Sequence, residues 1–428
     1  MKIRVLTTAA AALLVLAGCS DSTGAGDTSP TPDQATTESA DPSESASASA
    51  EPTEEPTPEP ADPEYFTVMS GGDILLHLSV NESARIQGET YDYLPLYEGI
   101  QPFIDDADVA ICALEVPIVG HDQMPSNYPN FGAPWDLAQS LADIGYDGCA
   151  VATNHTMDRG FGGVDTTIQA LTDAGLGWAG SARTEGEADE IQFYNIEGEE
   201  QSVSIAHISA TTLTNGIPIP ADHPYSWNVV GDLGQPIDTI IDDAKKARKR
   251  GADIVVVSMH WGTEYVNDPI PEQIDIAQQL AESGEVDLVF GNHSHVPQPL
   301  DLIPGGPNGE GMWVVYSMGN QISGQTVQNH GPRVTTGLIT TATIEVRGEN
   351  DASITDFDFT VVTQDRAAGE RLRLLTPLMN GEYPEGLALS QYDINSRADA
   401  TYPVMSGSGE ERTEAPEDTG ATLTITRE

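Results

Sequence analysis

The chain has 428 residues, 67 of them Asp or Glu and only 18 Lys or Arg, for a net charge of −49. Nucleic acid is excluded as a partner, because gripping phosphates needs a basic surface that this composition does not supply. The stretch beyond residue 64 is long enough to bury a large core, and two cysteines within it exclude a small disulfide-stapled scaffold.

The N-terminus carries Lys2 and Arg4, then an apolar stretch over residues 5–16, then Leu16-Ala17-Gly18-Cys19. Residues 1–19 read as an export signal, too short to span a bilayer as a helix. The tetrapeptide looks like a lipoprotein box, which implies acylation of Cys19; an ordinary secretory signal with an incidental cysteine is the alternative. An acylated Cys19 places the chain at the cell membrane, lipid-anchored on the extracellular face. Residues 20–64 are mostly Ser, Thr, Pro, Ala, Asp and Glu, with no Lys, Arg or aromatic side chain. Such a segment cannot bury enough apolar surface to fold, so a disordered acidic tether is expected, about 35 to 40 Å long as a coil.

Apolar runs of strand length follow at residues 66–69, 109–112, 148–151, 254–257 and 286–290. Helices are expected between them: near 96–106, over 136–144 where Leu137, Leu141 and Ile144 share a face, over 163–174 ended by Gly175, over 238–250 and over 270–283. Strand and helix alternate, which makes the class α/β. The basic end of the 238–250 helix (Lys245, Lys246, Arg248, Lys249, Arg250) complements the helix dipole. Residues 340–362 resemble antiparallel β edging, and beyond Leu375 the pattern weakens into an expected partly disordered tail. Cys112 and Cys149 both fall in apolar runs, where packed thiols are the favoured reading and a disulfide between neighbouring strands is the alternative.

The five runs share one property. Each ends on residues able to bind metal: Asp73, Glu115, Asn154 with His155, His260, and His293 with His295. The carboxyl ends of strands in an α/β sheet converge on one edge, so these side chains read as one dispersed site. His293 and His295 can serve adjacent ions or one ion from two sides, and a carboxylate bridging two ions would clamp the oxygens of a phosphoryl or acyl centre. Asn154 offers a carbonyl oxygen. His155, with Asp158 three residues on, is the candidate general acid. Asp158, Glu264 and Asn320 are candidates to orient a ligand imidazole, and Arg333 is a candidate anion contact. Mixed carboxylate and imidazole ligands suit Mn, Fe or Zn.

The ordered motifs Gly72-Asp73, Leu114-Glu115-Val116-Pro117, Asn154-His155-Thr156-Met157-Asp158-Arg159-Gly160, His260-Trp261-Gly262-Thr263-Glu264-Tyr265, Gly291-Asn292-His293-Ser294-His295-Val296-Pro297-Gln298 and Tyr316-Ser317-Met318-Gly319-Asn320 resemble those of the CapA/PgsA poly-γ-glutamate capsule synthesis proteins. The resemblance runs over residues 66–346. It implies a calcineurin-like metallophosphatase fold, a two-sheet αββα sandwich, over residues 65–346, leaving 347–428 as a C-terminal β extension and tail. It further implies a part in synthesis, export or anchoring of a poly-γ-glutamate polymer, beside membrane-embedded synthase subunits. A surface metallohydrolase for a phosphoester or a peptide-like cell-wall bond is the competing reading. Metallophosphatases usually open with Asp-x-His, whereas Leu75 stands two residues after Asp73; Ala113 and Thr153 stand where the family often has Asn. Glu115, Asn154, His260 and His293 therefore form a nearly whole set for one divalent ion. Asp73, Glu115 and His295 form a thinner set for a second.

Overall fold

The computed structural model describes residues 4–6, 62–348 and 351–428. Cys19 and nearly all of the 20–64 stretch lie outside the described residues, so the expected lipid anchor and tether do too. The short strand Arg4–Leu6, inside the expected export signal, pairs parallel with Thr422–Arg427; the described chain resumes at residue 62 and forms the strand Glu64–Leu75, one residue ahead of the expected start.

Two eight-stranded sheets are built around two runs of parallel strands. In the first sheet, Glu64–Leu75, Val109–Leu114, Gly148–Ala150 and Gly177–Ala179 lie parallel and side by side. In the second, Ser202–Thr211, Ile254–His260, Leu288–Asn292 and Met312–Val315 do the same. Strand pleating explains how one sequence serves two layers. Val109 and Ile111 point to a cluster shared with Ile254, Val256, Leu288 and Phe290 of the other sheet. Ala110, Cys112 and Leu114 point the opposite way, onto the helices Asp136–Ile144 and Gly160–Asp173. Val255, Val257 and Met259 likewise face the helices Asp238–Lys249 and Pro271–Ser283. Helices thus cover both outer faces of a sheet pair, the αββα sandwich expected from the sequence. At the basic end of Asp238–Lys249, Arg248 pairs with the buried Asp287 at 2.5 Å.

Thr336–Val346 and Ala352–Asp365 pair antiparallel and extend the first sheet outward from Glu64–Leu75, the β edging expected there. Two other expectations are corrected. The residues beyond Leu375 are ordered. They form the helix Gln391–Met405, opened by a reciprocal Ser390/Asp393 cap, and the strand Thr422–Arg427, which joins the second sheet against Gln192–Glu197. The helix escaped notice because its buried face includes Arg397 and Thr401, which breaks the apolar period. Finally, Cys112 and Cys149 sit directly opposite each other on neighbouring strands and are joined as a disulfide, with Cα atoms 4.4 Å apart. The alternative, not the favoured packed thiols, is what the register selects.

Candidate metal centre

Every expected ligand leaves its strand at the carboxyl end, and the two sheets bring those ends together. Asp73 lies near the end of Glu64–Leu75, where Asn320–Ser323 pairs beside it. Gly72 permits that approach, since a Cβ there would meet the Gly319 carbonyl oxygen at 2.4 Å. Glu115 follows Val109–Leu114 immediately, and His260 is the last residue of its strand. Gly291 plays the role of Gly72 in the second sheet, with the Tyr316 carbonyl oxygen 2.2 Å from where a Cβ would stand. The turn after Leu288–Asn292 holds His293 and His295 at φ of 95° and 59°. Positive φ is uncommon for a non-glycine residue and is a form of strain that collects at functional sites.

Two groups of buried side chains result, each with ligand atoms mutually within 4.8 Å: Glu115, His260 and His293, and Asp73, Glu115 and His295. Glu115 belongs to both. In the first group, His260 Nε2 lies 2.9 Å from Asn154 Oδ1, 3.2 Å from His293 Nδ1 and 3.6 Å from Glu115 Oε1. In the second, His295 Nδ1 lies 3.2 Å from Asp73 Oδ2, and its Nε2 lies 3.7 Å from Glu115 Oε1. Asn320 Oδ1 accepts from His295 Nδ1 at 3.0 Å, which leaves Nε2 as the lone-pair nitrogen facing Glu115. Asn320 therefore sits beside the His295 imidazole.

The electrostatics of the cluster are unbalanced. Asp73 Oδ1 and both oxygens of Glu115 are buried without a hydrogen-bond partner. Burial, and then the charge of Asp73, push the Glu115 carboxyl well above its usual range. Burial, and then the neighbouring His293 and His295, hold His260 far below the ordinary imidazole value, and His293 is lowered the same way. Neutral imidazoles and orphaned carboxylate oxygens are a set that a divalent ion completes; left alone, a buried unpaired carboxylate costs several kcal/mol. The cluster is compatible with a divalent metal site.

His155 stands beside it. Its Nδ1 donates to Asp158 Oδ2 at 2.7 Å, and the same Asp158 oxygen accepts the Phe131 N–H at 2.7 Å. A carboxylate only accepts, so the proton sits on Nδ1 and Nε2 carries the lone pair. Asp158 thus acts through His155, as a residue that positions it. Phe131, which the sequence did not single out, is packed edge-on by His155 at 4.8 Å and by His77 at 5.0 Å. His77 accepts the Gly324 N–H at 3.0 Å and is buried enough for its pKa to fall to about 4, as befits a loop clamp.

Two candidates are placed elsewhere. Glu264 is exposed and makes no hydrogen bond to a ligand imidazole among the described residues, though its charge helps raise both the Tyr265 phenol and the Glu115 carboxyl. Arg333 donates through Nε to the Ala400 carbonyl at 2.5 Å, tying its turn to the C-terminal helix, while its Nη1 is buried without a partner among the described residues. Tyr265 is the residue the motif reading passed over. Its ring lies 5.9 Å from that of His295 and stacks on His330 at 4.0 Å, and Gln325 links its hydroxyl (3.1 Å) to Asn320 (2.9 Å).

The bacterial capsule synthesis protein family PGA_cap matches residues 67–325, more than half the chain and every ligand named above. The chain belongs to that family. Among its relatives, the capsule biosynthesis protein CapA of Bacillus anthracis is 27% identical over 269 residues, 61% of this chain and 61% of that protein. A probable polyglutamine synthesis accessory protein of Mycobacterium tuberculosis is 24% identical over 295 residues, 61% of this chain and 75% of its own length. The PGA biosynthesis protein CapA of Bacillus subtilis is 25% identical over 261 residues, 59% of this chain and 62% of that one. The match thus spans under two thirds of the two Bacillus members. Among solved structures, a phosphatase from Mycoplasma pneumoniae aligns over 77% of this chain and 99% of its own, with 13% identity and a TM-score of 0.38. The αββα architecture is set by this chain's own strand order and layers.

Proposed function

We propose that this chain is a component of poly-γ-glutamate capsule biosynthesis, export or anchoring that works through a divalent-metal centre. In this reading it is held at the extracellular face of the cell membrane by a lipid on Cys19, next to membrane-embedded synthase subunits. Family membership and the names of the relatives support the process. The observation that carries the centre is Glu115, a buried carboxylate with two orphaned oxygens at the intersection of two ligand groups. Asn154, Glu115, His260 and His293 would hold one ion, and Asp73, Glu115 and His295 a second.

Ions so held would supply Lewis-acid polarisation of a carbonyl or phosphoryl oxygen. The chain's own residues do the rest. Asp158 fixes the tautomer and aim of His155, and His155 Nε2, once protonated, can hand that proton to a departing atom. This dyad favours bond cleavage at the centre, whether of a γ-glutamyl amide or, in the second reading, of a phosphoester or cell-wall bond. Metal analysis of the purified full chain tests the assignment. Wild type is expected to retain Mn, Fe or Zn, and His293→Ala with His295→Ala to lose it; equal content in the two would sink the centre. Assay of γ-glutamyl polymer beside a phosphoester panel then separates the two substrates.

A further inference from the structure

Between residues 62 and 428 every arginine except Arg373 donates a hydrogen bond to an oxygen. In a chain with 67 carboxylates against 18 basic side chains, an arginine with no such partner is unexpected. Arg373 belongs to the strand Arg371–Leu374 at the edge of the first sheet, opposite Thr363. Its Nε is buried and unpartnered. The side chain lines a cavity of about 400 Å³ walled by Leu374, Pro377, Leu378, Tyr383 and Pro384. Glu382 shares the lining without forming an ion pair with it. Gly99 shapes the floor: a Cβ there would meet the Leu372 carbonyl at 2.4 Å and the Arg373 Cδ at 3.6 Å.

A guanidinium with free donors among apolar walls matches one ligand chemistry, a carboxylate on a short aliphatic arm. The donors pair with the carboxylate, and Leu, Pro and Tyr side chains cover the methylenes. The strand bearing Arg373 lies three strands from the one bearing Asp73, roughly 14 Å across the sheet. That separation makes the cavity a second anchor, distinct from the metal centre, for an extended ligand that repeats its carboxylate. A polyanion approaching this acidic molecule is repelled generally, so it must be captured where positive charge is unspent.

We infer that the Arg373 cavity is a subsite for a glutamyl carboxylate of the γ-linked polymer; the inference rests on the polymer reading proposed above. Two anchors on one chain raise its effective affinity without any new contact at the metal. The test is binding of a fluorescent γ-glutamyl oligomer to the full chain, metal-loaded and in chelator, for wild type and Arg373→Gln. Wild type is expected to keep measurable binding in chelator, and Arg373→Gln to weaken binding about ten-fold in both conditions, with Arg373→Lys intermediate. Because the Arg373 side chain has no hydrogen-bond partner among the described residues, the unfolding midpoint of Arg373→Gln should equal that of wild type. Unchanged binding in Arg373→Gln overturns the subsite and leaves the polymer reading standing. Failure of metal-loaded wild type to bind the oligomer overturns both.

Discussion

Replacing Glu115 with Gln should stabilise the protein without metal and destabilise it with metal. Glu115 is fully buried, neither oxygen has a partner, and its proton is held well above the usual carboxylate range. Protonating an ordinary carboxyl at pH 7 costs about 3.4 kcal/mol, which caps what the metal-free fold loses on this residue. Gln keeps the shape and deletes the charge, so in chelator at pH 7 Glu115→Gln is expected to be more stable by about 1 to 3 kcal/mol. The sign of the pH dependence follows. The folded carboxyl binds its proton more tightly than the unfolded one, so the advantage shrinks as pH falls toward about 4.5, where both states are protonated. Metal reverses the order. An ion at a thousand times its dissociation constant adds about 4 kcal/mol to wild type, whereas the variant has lost the ligand common to both groups and gains under about 1 kcal/mol. Urea unfolding of the two proteins in chelator and in saturating Mn²⁺ or Zn²⁺ reads all four values. A variant less stable than wild type in chelator, or one stabilised equally by metal, refutes the reasoning.

Three further outcomes are expected. His155→Ala should lower turnover of the true substrate by about 10²- to 10⁴-fold with metal content unchanged, and Asp158→Asn should lower it less; loss of metal in either variant would instead make His155 a structural neighbour of the site. His207 is fully buried and its pKa falls to about 3 from 6.5 through desolvation, so it folds neutral. Its contribution is complete above pH 6.5 and is lost at about 1.4 kcal/mol per pH unit below it; acid titration of urea stability should show a shallower slope in His207→Gln, and parallel slopes would exclude the account. Removing the disulfide with Cys112→Ala and Cys149→Ala should cost about 2 to 4 kcal/mol, measured against untreated wild type, in which neither Cys112 nor Cys149 should react with a thiol reagent under denaturing, non-reducing conditions.

The convergence of Asp73, Glu115, Asn154, His260, His293 and His295 was legible because each lies at or just past the carboxyl end of an apolar run, and a strand end is where an α/β sheet can place reactive side chains. Helix Asp136–Ile144 was legible for a similarly local reason, since Leu137, Leu141 and Ile144 mark one buried face. What escaped depends on partners far along the chain. Whether Cys112 meets Cys149 is decided by the register of two strands, which neither strand encodes alone. Phe131 reaches His155 from a loop without periodicity. Arg333 is tied through Nε to the Ala400 carbonyl, 67 residues on, a partner that no local pattern announces. Tyr265 lay inside a motif already noted, but its tie to Asn320 runs through Gln325, which carries no signal of its own.

The placement of Thr422–Arg427 bears on how such a molecule can be made. Gln192–Glu197 has this strand as its outer neighbour in the second sheet, more than two hundred residues later. Arg427 locks the join through the Glu187 carbonyl and the ring of Trp178. A nascent chain therefore cannot close that sheet until residues 422–427 have been synthesised, and until then Gln192–Glu197 remains an open edge. Late completion of that sheet makes small deletions at residues 422–427 more damaging than their size would indicate.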